Sequence, residues 1–278
     1  MTTAPLWTSA EAAAATGAAA HGPAWEAFGV SIDSRTIVKG DLFVAIVGPS
    51  HDGHDYVKAA IEAGAAAALV HRVPEGCDGL PLVVVEDTMA GLEALGRASR
   101  ARSTAHVVAV TGSVGKTGTK EMLALVLSQQ GATHWSAGSF NNHWGVPLSL
   151  ARMPRETRFA IFELGMNHPG ELVPLSGMVR PHVAVVTTVE AVHIAHFTST
   201  EEIADAKAEI FTGLEPGGVA ILNRDNRHFR RLSAAAAKVG ADIQSFGTHI
   251  DADARLLDCG VDPRSEEHTS ELQSPYVI

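Results

Sequence analysis

Lys116 and Thr117 close the run AVTGSVGKT (109–117), in which Gly112 and Gly115 stand just before a cation and a hydroxyl. Those residue types at that spacing suit phosphate chemistry. Glycines reach backbone angles closed to other residues and let amide N–H groups turn inward on an anion. A lysine neutralises the outer phosphate oxygens, and a threonine hydroxyl reaches magnesium. The common pattern G-x-x-x-x-G-K-[ST] is not met, because Val110 stands where its first glycine belongs. The surroundings still fit: HVVAV reads as a strand, and TKEMLALVLSQQG (119–131) reads as a helix closed by Gly131, so the loop delivers its amides to a helix N-terminus. Thr111, Gly112, Ser113, Gly115, Lys116 and Thr117 are the expected nucleotide-binding set. Gly118, early in the helix, is expected to loosen its first turn.

Two further residues follow strands. Glu163 lies at the carboxyl end of the strand RFAIFEL, where parallel sheets gather their ligands, and can bind magnesium; His193 follows HVAVVTTV at a similar level. In STEEIADAKAEIFTGL (199–214), Ser199 and Glu202 have the spacing of a capping box, and Ile203, Lys207, Ile210, Phe211 and Leu214 fall on one helical stripe. A lysine thus lies on an apolar face. Its ammonium either snorkels out to water or, partly buried, has a lowered pKa that lets the amine react with carbon dioxide and hold a metal as a carbamate.

The elements that must position these residues read as α/β. Up to about residue 103, short apolar runs alternate with helical patterns in a small domain, and DTMAGLEALGRASRARS reads as a helix ending at a polar boundary near Ser103. From 104 to 263, HVVAVTG, RFAIFELG, HVAVVTTV and GGVAILN are Val- and Ile-rich runs separated by helical stretches. That is the pattern of a parallel sheet with crossover helices, here an incomplete one.

Composition narrows the function. The chain has 278 residues, 46% of them hydrophobic, with a formal net charge of -10. This is globular protein without a polyanion-binding surface, so nucleic acid is not an expected partner. No apolar run is long enough to span a bilayer and the N-terminus lacks a signal peptide's pattern, so a cytoplasmic location is expected; a monomer is expected as well. Cys77 and Cys259 have no nearby partner cysteine. The last stretch, RSEEHTSELQSPYVI (264–278), changes character abruptly and matches the in-frame translation of a common sequencing-library adapter. It is expected to be a non-native tail and is set aside from fold reasoning.

The compressed loop T-G-x-x-G-K-T (111–117) resembles that of the Mur ligases. The likeness extends to SFNNHWGVPLSL (139–150), ELGMNHPGEL (163–172), AVHIAHF (191–197), ADAKAEIFTGLEPGGVAILNRDN (204–226) and SIDSRTIVKGDLFVAIVGPSHDGHDYV (31–57). It implies an N-terminal UDP-substrate domain (1–103), a central ATPase domain, and a C-terminal Rossmann-like domain that nothing here matches, so that the chain alone would be inactive. It also implies ATP and two magnesium ions, with Thr117, Glu163, His193 and a carbamylated Lys207 as metal ligands and Lys116, His193 and Lys207 as catalytic groups. Asn223 and Asp225 would meet the adenosine end of ATP, and Asn141, Asn142, Asn167 and His168 would face the substrate. Ser34, Arg35, Ser50 and His51 would hold the UDP diphosphate by hydrogen bonds and charge. The K-E-M text after the loop, F-N-N-x-x-G-V-P and E-L-G-M-N-H-P-G-E imply the last step of the series, addition of D-alanyl-D-alanine to UDP-N-acetylmuramoyl-tripeptide through an acyl phosphate. The preceding ligase, a folylpolyglutamate synthase-like enzyme and a non-ligase phosphate-loop module are the alternatives. His196 is expected to be a surface residue.

Overall fold

A computed structural model describes residues 4–191, 197–261 and 268–273, with backbone alone from residue 259 onward. The chain divides into two compact units: residues 1–105 with 143–158, and residues 106–142 with 159–278.

In the first unit, β1 (Trp7–Thr8) leads into α1 (Ser9–Thr16), which starts with a full capping box between Thr8 and Glu11. β2 (Ala19–His21), β3 (Glu26–Ala27), β4 (Gly29–Ser31), β5 (Asp41–Val44), α2 (Val57–Glu62), β6 (Ala67–Val70), β7 (Leu82–Val84) and α3 (Thr88–Arg102) follow. The sheet has the order β2-β7-β6-β5-β4, parallel except for β2. β5 and β6 are buried throughout, which accounts for their unbroken apolar text. The helix expected before Ser103 is present, with Asp87 capping its start by accepting from the Ala90 N–H and Ser103 at its end.

The second unit opens with β8 (His106–Thr111), α4 (Lys116–Ser128) and β9 (Thr133–Trp135). The chain then goes back to the first unit for α5 (Gly145–Ala151), every residue of which is buried. Gly96 of α3 lies so close to Pro147 that an added Cβ would come 3.1 Å from its carbonyl oxygen, and Trp7 Nε1 donates to Ala151 O at 2.9 Å. Residues 143–158, inside the range expected for the second domain, are therefore packed as part of the first unit. Apolar periodicity marks α5 as buried but does not say in which core.

β10 (Phe159–Glu163), α6 (Leu172–Val179), β11 (Val183–Val186), α7 (Thr200–Ala208), β12 (Val219–Asn223), α8 (Phe229–Lys238), β13 (Asp242–Gly247), β14 (Ala254–Val261) and β15 (His268–Gln273) complete the second unit. Their sheet runs β15-β14-β13-β12-β11-β8-β10-β9 and is parallel apart from β15. Residues 268–273, set aside above, pair antiparallel with β14. From β8 the chain moves through α4 toward β9 and β10, and from β10 it crosses to β11 on the other side of β8. The order thus reverses at β8, where open α/β sheets form a ligand crevice at the carboxyl ends of their strands.

Two local expectations need correction. α4 ends at Ser128, and Gly131 follows without the left-handed backbone of a closing glycine, its N–H reaching Leu127 O at 3.2 Å. Ser199 does cap α7, but the Glu202 carboxylate bonds the N–H and hydroxyl of Thr198 at 2.7 and 2.8 Å, so only half of the box is formed. The first turn of α4 closes in spite of Gly118, with Thr119 N–H donating to Gly115 O at 2.9 Å. A Cβ at Gly118 would have nothing within 4 Å. Gly118→Ala is therefore expected to raise stability by about 0.5–1 kcal/mol in urea unfolding, and a loss would show that the glycine is needed there.

Candidate functional site

Three strand ends converge in the second unit. Gly112 to Gly115 follow β8, with backbone φ of 149° and 83° at the two glycines, and Gly115 is the left-handed residue from which α4 starts. The first amides of α4 have no partner within the helix, and its dipole favours negative charge at this end. The loop is fastened from the segment that follows β11. Ser113 N–H donates to Thr188 O at 2.9 Å, the Ser113 hydroxyl donates to Glu190 O at 3.1 Å, and it accepts from the Glu190 N–H at 2.9 Å. The Thr187 hydroxyl donates to Val114 O at 2.6 Å. Lys116 Nζ donates to Gly112 O at 2.9 Å, so its charge is held over the loop.

Glu163 ends β10, one strand away, and is 1% exposed. Its Oε2 accepts from the Thr117 hydroxyl at 2.9 Å and its Oε1 from Asn141 Nδ2 at 2.8 Å. Asn142 is half-buried beside Asn141. Thr117 and Glu163 thus present hard oxygens to one point. Among the described residues no group of three His, Cys, Asp or Glu side chains could hold a metal. The pair suits a cation such as magnesium, which binds one or two protein oxygens and takes its remaining ligands from phosphates and water.

Lys207 is 3% exposed on α7 and makes no ion pair among the described residues. Burial lowers its pKa to about 7, and the positive charge of Lys116 adds to the shift. The side chain therefore does not snorkel out to water. His193 and His196 lie outside the described residues.

The other expected residues are placed with mixed closeness to this centre. Thr111, at the end of β8, is fully buried, and its hydroxyl has no partner among the described residues. Asn223 ends β12 and accepts the Asp225 N–H at 2.9 Å. The Asp225 carboxylate takes the N–H groups of Thr248 and His249 at 2.7 and 2.8 Å, bonds that lower its pKa and tie down the turn after β13. Asn167 and His168 are exposed and bound to Glu171, which accepts the Asn167 N–H at 2.7 Å. In the first unit, Ser34, Arg35 and His51 line a cavity of about 530 Å³ together with Asp33 and Tyr56, while Ser50 is not among the lining residues. Arg35 forks onto Asp33 at 2.9 and 2.6 Å, which draws the Asp33 carboxyl down to about 2.

Sequence reasoning missed two residues. Asn226 Nδ2 bonds Thr188 Oγ1 and Val189 O, both at 2.9 Å, and so braces the segment that fastens the phosphate loop. Lys120 is fully buried one turn beyond Thr117. Its text, K-E beside a helix start, reads as an ordinary exposed charge pair.

Known proteins match this arrangement. The Mur ligase middle domain matches residues 110–275, and the catalytic domain of the Mur ligase family matches residues 26–102. The UDP-N-acetylmuramoyl-tripeptide--D-alanyl-D-alanine ligase of Rickettsia prowazekii is 38% identical over 229 residues, 82% of this chain and 51% of the relative. A crystal structure of MurF from Acinetobacter baumannii superposes with a TM-score of 0.85 at 31% identity, covering 99% of this chain and 60% of that one. MurF ligase from Thermotoga maritima in complex with ADP gives 0.75 at 28% identity, covering 88% and 56%. The chain spans about half the length of the curated relatives it matches. With a family match over more than half its residues, on the unit that carries the glycine loop, Glu163 and Lys207, the chain belongs to the Mur ligase family.

Proposed function

We propose that the chain carries the nucleotide and UDP-substrate parts of an ATP-dependent ligase that joins D-alanyl-D-alanine to UDP-N-acetylmuramoyl-tripeptide. The observation that carries this reading is the meeting of Gly112–Thr117, Glu163 and Asn141 at one strand-order reversal. The loop amides and Lys116 bind the outer phosphates of ATP; the Thermotoga relative's ADP complex supports a nucleotide in this fold. Thr117 and Glu163 would hold one magnesium ion, and Lys207, as a carbamate, would hold a second together with His193. Magnesium held there would supply charge neutralisation as the γ-phosphoryl group of ATP passes to the substrate carboxylate and ADP leaves. That transfer makes an acyl phosphate, which the amine of D-alanyl-D-alanine attacks to form the amide and release phosphate. Asn141 and Asn142, with Asn167 and His168, meet the muramoyl-peptide, and Asn223 and Asp225 meet the adenosine end. Arg35, Ser34, Ser50 and His51 bind the UDP diphosphate around the cavity of the first unit. The protein acts as a cytoplasmic monomer with no nucleic-acid partner.

Calorimetric titration of the 278-residue chain with MgATP, UDP-N-acetylmuramoyl-tripeptide, the corresponding dipeptide and dihydrofolate tests the reading. Binding of MgATP and preference for the tripeptide over the dipeptide are expected. A preference for the dipeptide favours the preceding ligase, and one for the folate a folylpolyglutamate synthase-like enzyme. Nucleotide binding with none of the three substrates would leave a phosphate-loop module that is not a ligase.

A further inference from the structure

Lys120 has no part in the roles above, yet it is the largest fully buried charged side chain of the second unit. Taking an ammonium out of water is costly unless its protons are received. Here they are. Nζ donates to Ser136 O at 2.8 Å and to Gly138 O at 2.7 Å, and Glu121 Oε1 lies 3.0 Å away as an ion pair. Glu163 Oε2 stands at 4.0 Å.

The acceptors belong to the segment that leads to Asn141, and they close a circuit. Lys120 holds the carbonyl of Ser136, and the Ser136 hydroxyl accepts the Glu163 N–H at 3.3 Å. Glu163 accepts from Thr117, which is on the same helix as Lys120. A second path runs through Gly138, whose left-handed φ of 49° marks the turn in the segment. Beyond it, Asn141 N–H donates to Ser139 O at 2.8 Å, the Asn141 side chain reaches Glu163, and Gly165 N–H donates to Asn141 O at 2.8 Å. Residues 136–141 make no helix or strand of their own; Ser136 N–H is tied to Ile161 O of β10 at 3.1 Å, and beyond that bond the hydrogen bonds that receive the ammonium hold residues 136–138 to α4.

We propose that Lys120 is a positioning residue of the nucleotide site: its ammonium clamps residues 136–138 to α4 and so fixes Asn141 and Glu163 in register with Thr117. The proposal rests on the nucleotide reading above and extends it to a residue that touches neither nucleotide nor metal. Hydrogen bonding, rather than charge alone, is the working property, because both hydrogen-bond acceptors are neutral carbonyls. Misplacing Glu163 weakens the metal-dependent part of nucleotide binding and spares the part made by loop amides and Lys116.

The test compares Lys120→Met, which removes every donor, with Lys120→Gln, which keeps a neutral one. Two readouts are used: amide hydrogen exchange of the nucleotide-free 278-residue chain, and affinity for ATP with and without magnesium. In the methionine variant, the amides of 137–142 are expected to exchange at least tenfold faster while those of β8 and β10 do not change. Affinity for MgATP is expected to fall tenfold or more, and affinity for metal-free ATP less than threefold. The glutamine variant is expected to recover at least half of both losses on a logarithmic scale, and it carries the test if the methionine variant does not fold. Unchanged exchange in 137–142, or equal loss of both forms of ATP, overturns the proposal. A wild-type chain that binds no nucleotide defeats the nucleotide reading instead, and the exchange measurement still decides the clamp.

Discussion

Lys207→Ala is expected to abolish ligation, by about a thousandfold or more, in a ligase of the relatives' full length that carries this sequence; turnover like that of the wild type would sink the metal-ligand role. The expectation comes from burial. An exposed lysine is almost wholly protonated at neutral pH, whereas a side chain 3% exposed, with a pKa near 7, is about half free amine there. Only the free amine reacts with carbon dioxide. The 278-residue chain in ¹³C-bicarbonate should therefore give a carbamate signal in ¹³C NMR that Lys207→Ala lacks, and the signal should grow as pH rises through 7. Stability carries the same signature. Folding lowers this pKa from its ordinary 10.5, so between about 7 and 10.5 the unfolded chain binds more protons than the folded one. Without bicarbonate, the lysine's penalty on folding is full below pH 7 and fades as pH climbs through that window. Lys207→Met should remove this part of the pH dependence and gain most at acid pH; parallel stability–pH curves for the two proteins would show that the amine is not perturbed.

Gly112→Ala is expected to cost roughly 2–3 kcal/mol in urea unfolding and at least a hundredfold in MgATP affinity. Two effects combine. The residue has a φ of 149°, which side chains rarely adopt, and an added Cβ would run into the Thr187 hydroxyl. Thr187 cannot turn aside without losing its bond to Val114 O. Adding Thr187→Ala should relieve the collision and restore part of the stability, while the unfavourable backbone keeps the loop misdirected and ATP binding weak. ATP bound by Gly112→Ala within threefold of the wild type would show that the loop does not need this conformation.

Much of the site is legible because its signals are local. The glycines, Lys116 and Thr117 lie within seven residues, and Lys207 declares itself by landing on the stripe of Ile203, Ile210 and Phe211. Parallel strands were readable from unbroken apolar runs such as VAVV in β11. What escaped depends on partners distant in sequence. Lys120 looks like a surface lysine until residues 136–138 come over it, and Asn226 looks like a turn residue until it meets Thr188. Glu202 is one residue off its expected bond, taking both the N–H and the hydroxyl of Thr198. Even the helical pattern of α4 misled in part: Met122, Leu125 and Val126 are exposed, so its apolar text is not all core.

The detour of residues 143–158 into the first unit also sets an order of events during synthesis. The first 105 residues cannot finish their core as they leave the ribosome, since α5, which packs on α3 at Gly96, is still to be made. By the time Ala151 is available to Trp7, β8, the phosphate loop and α4 have already emerged. Glu163 follows only after the detour ends, and its bond to Asn141 then joins the two sides of the detour. The carboxylate that meets Thr117 is thus made only after the chain has gone back to finish the unit it began with.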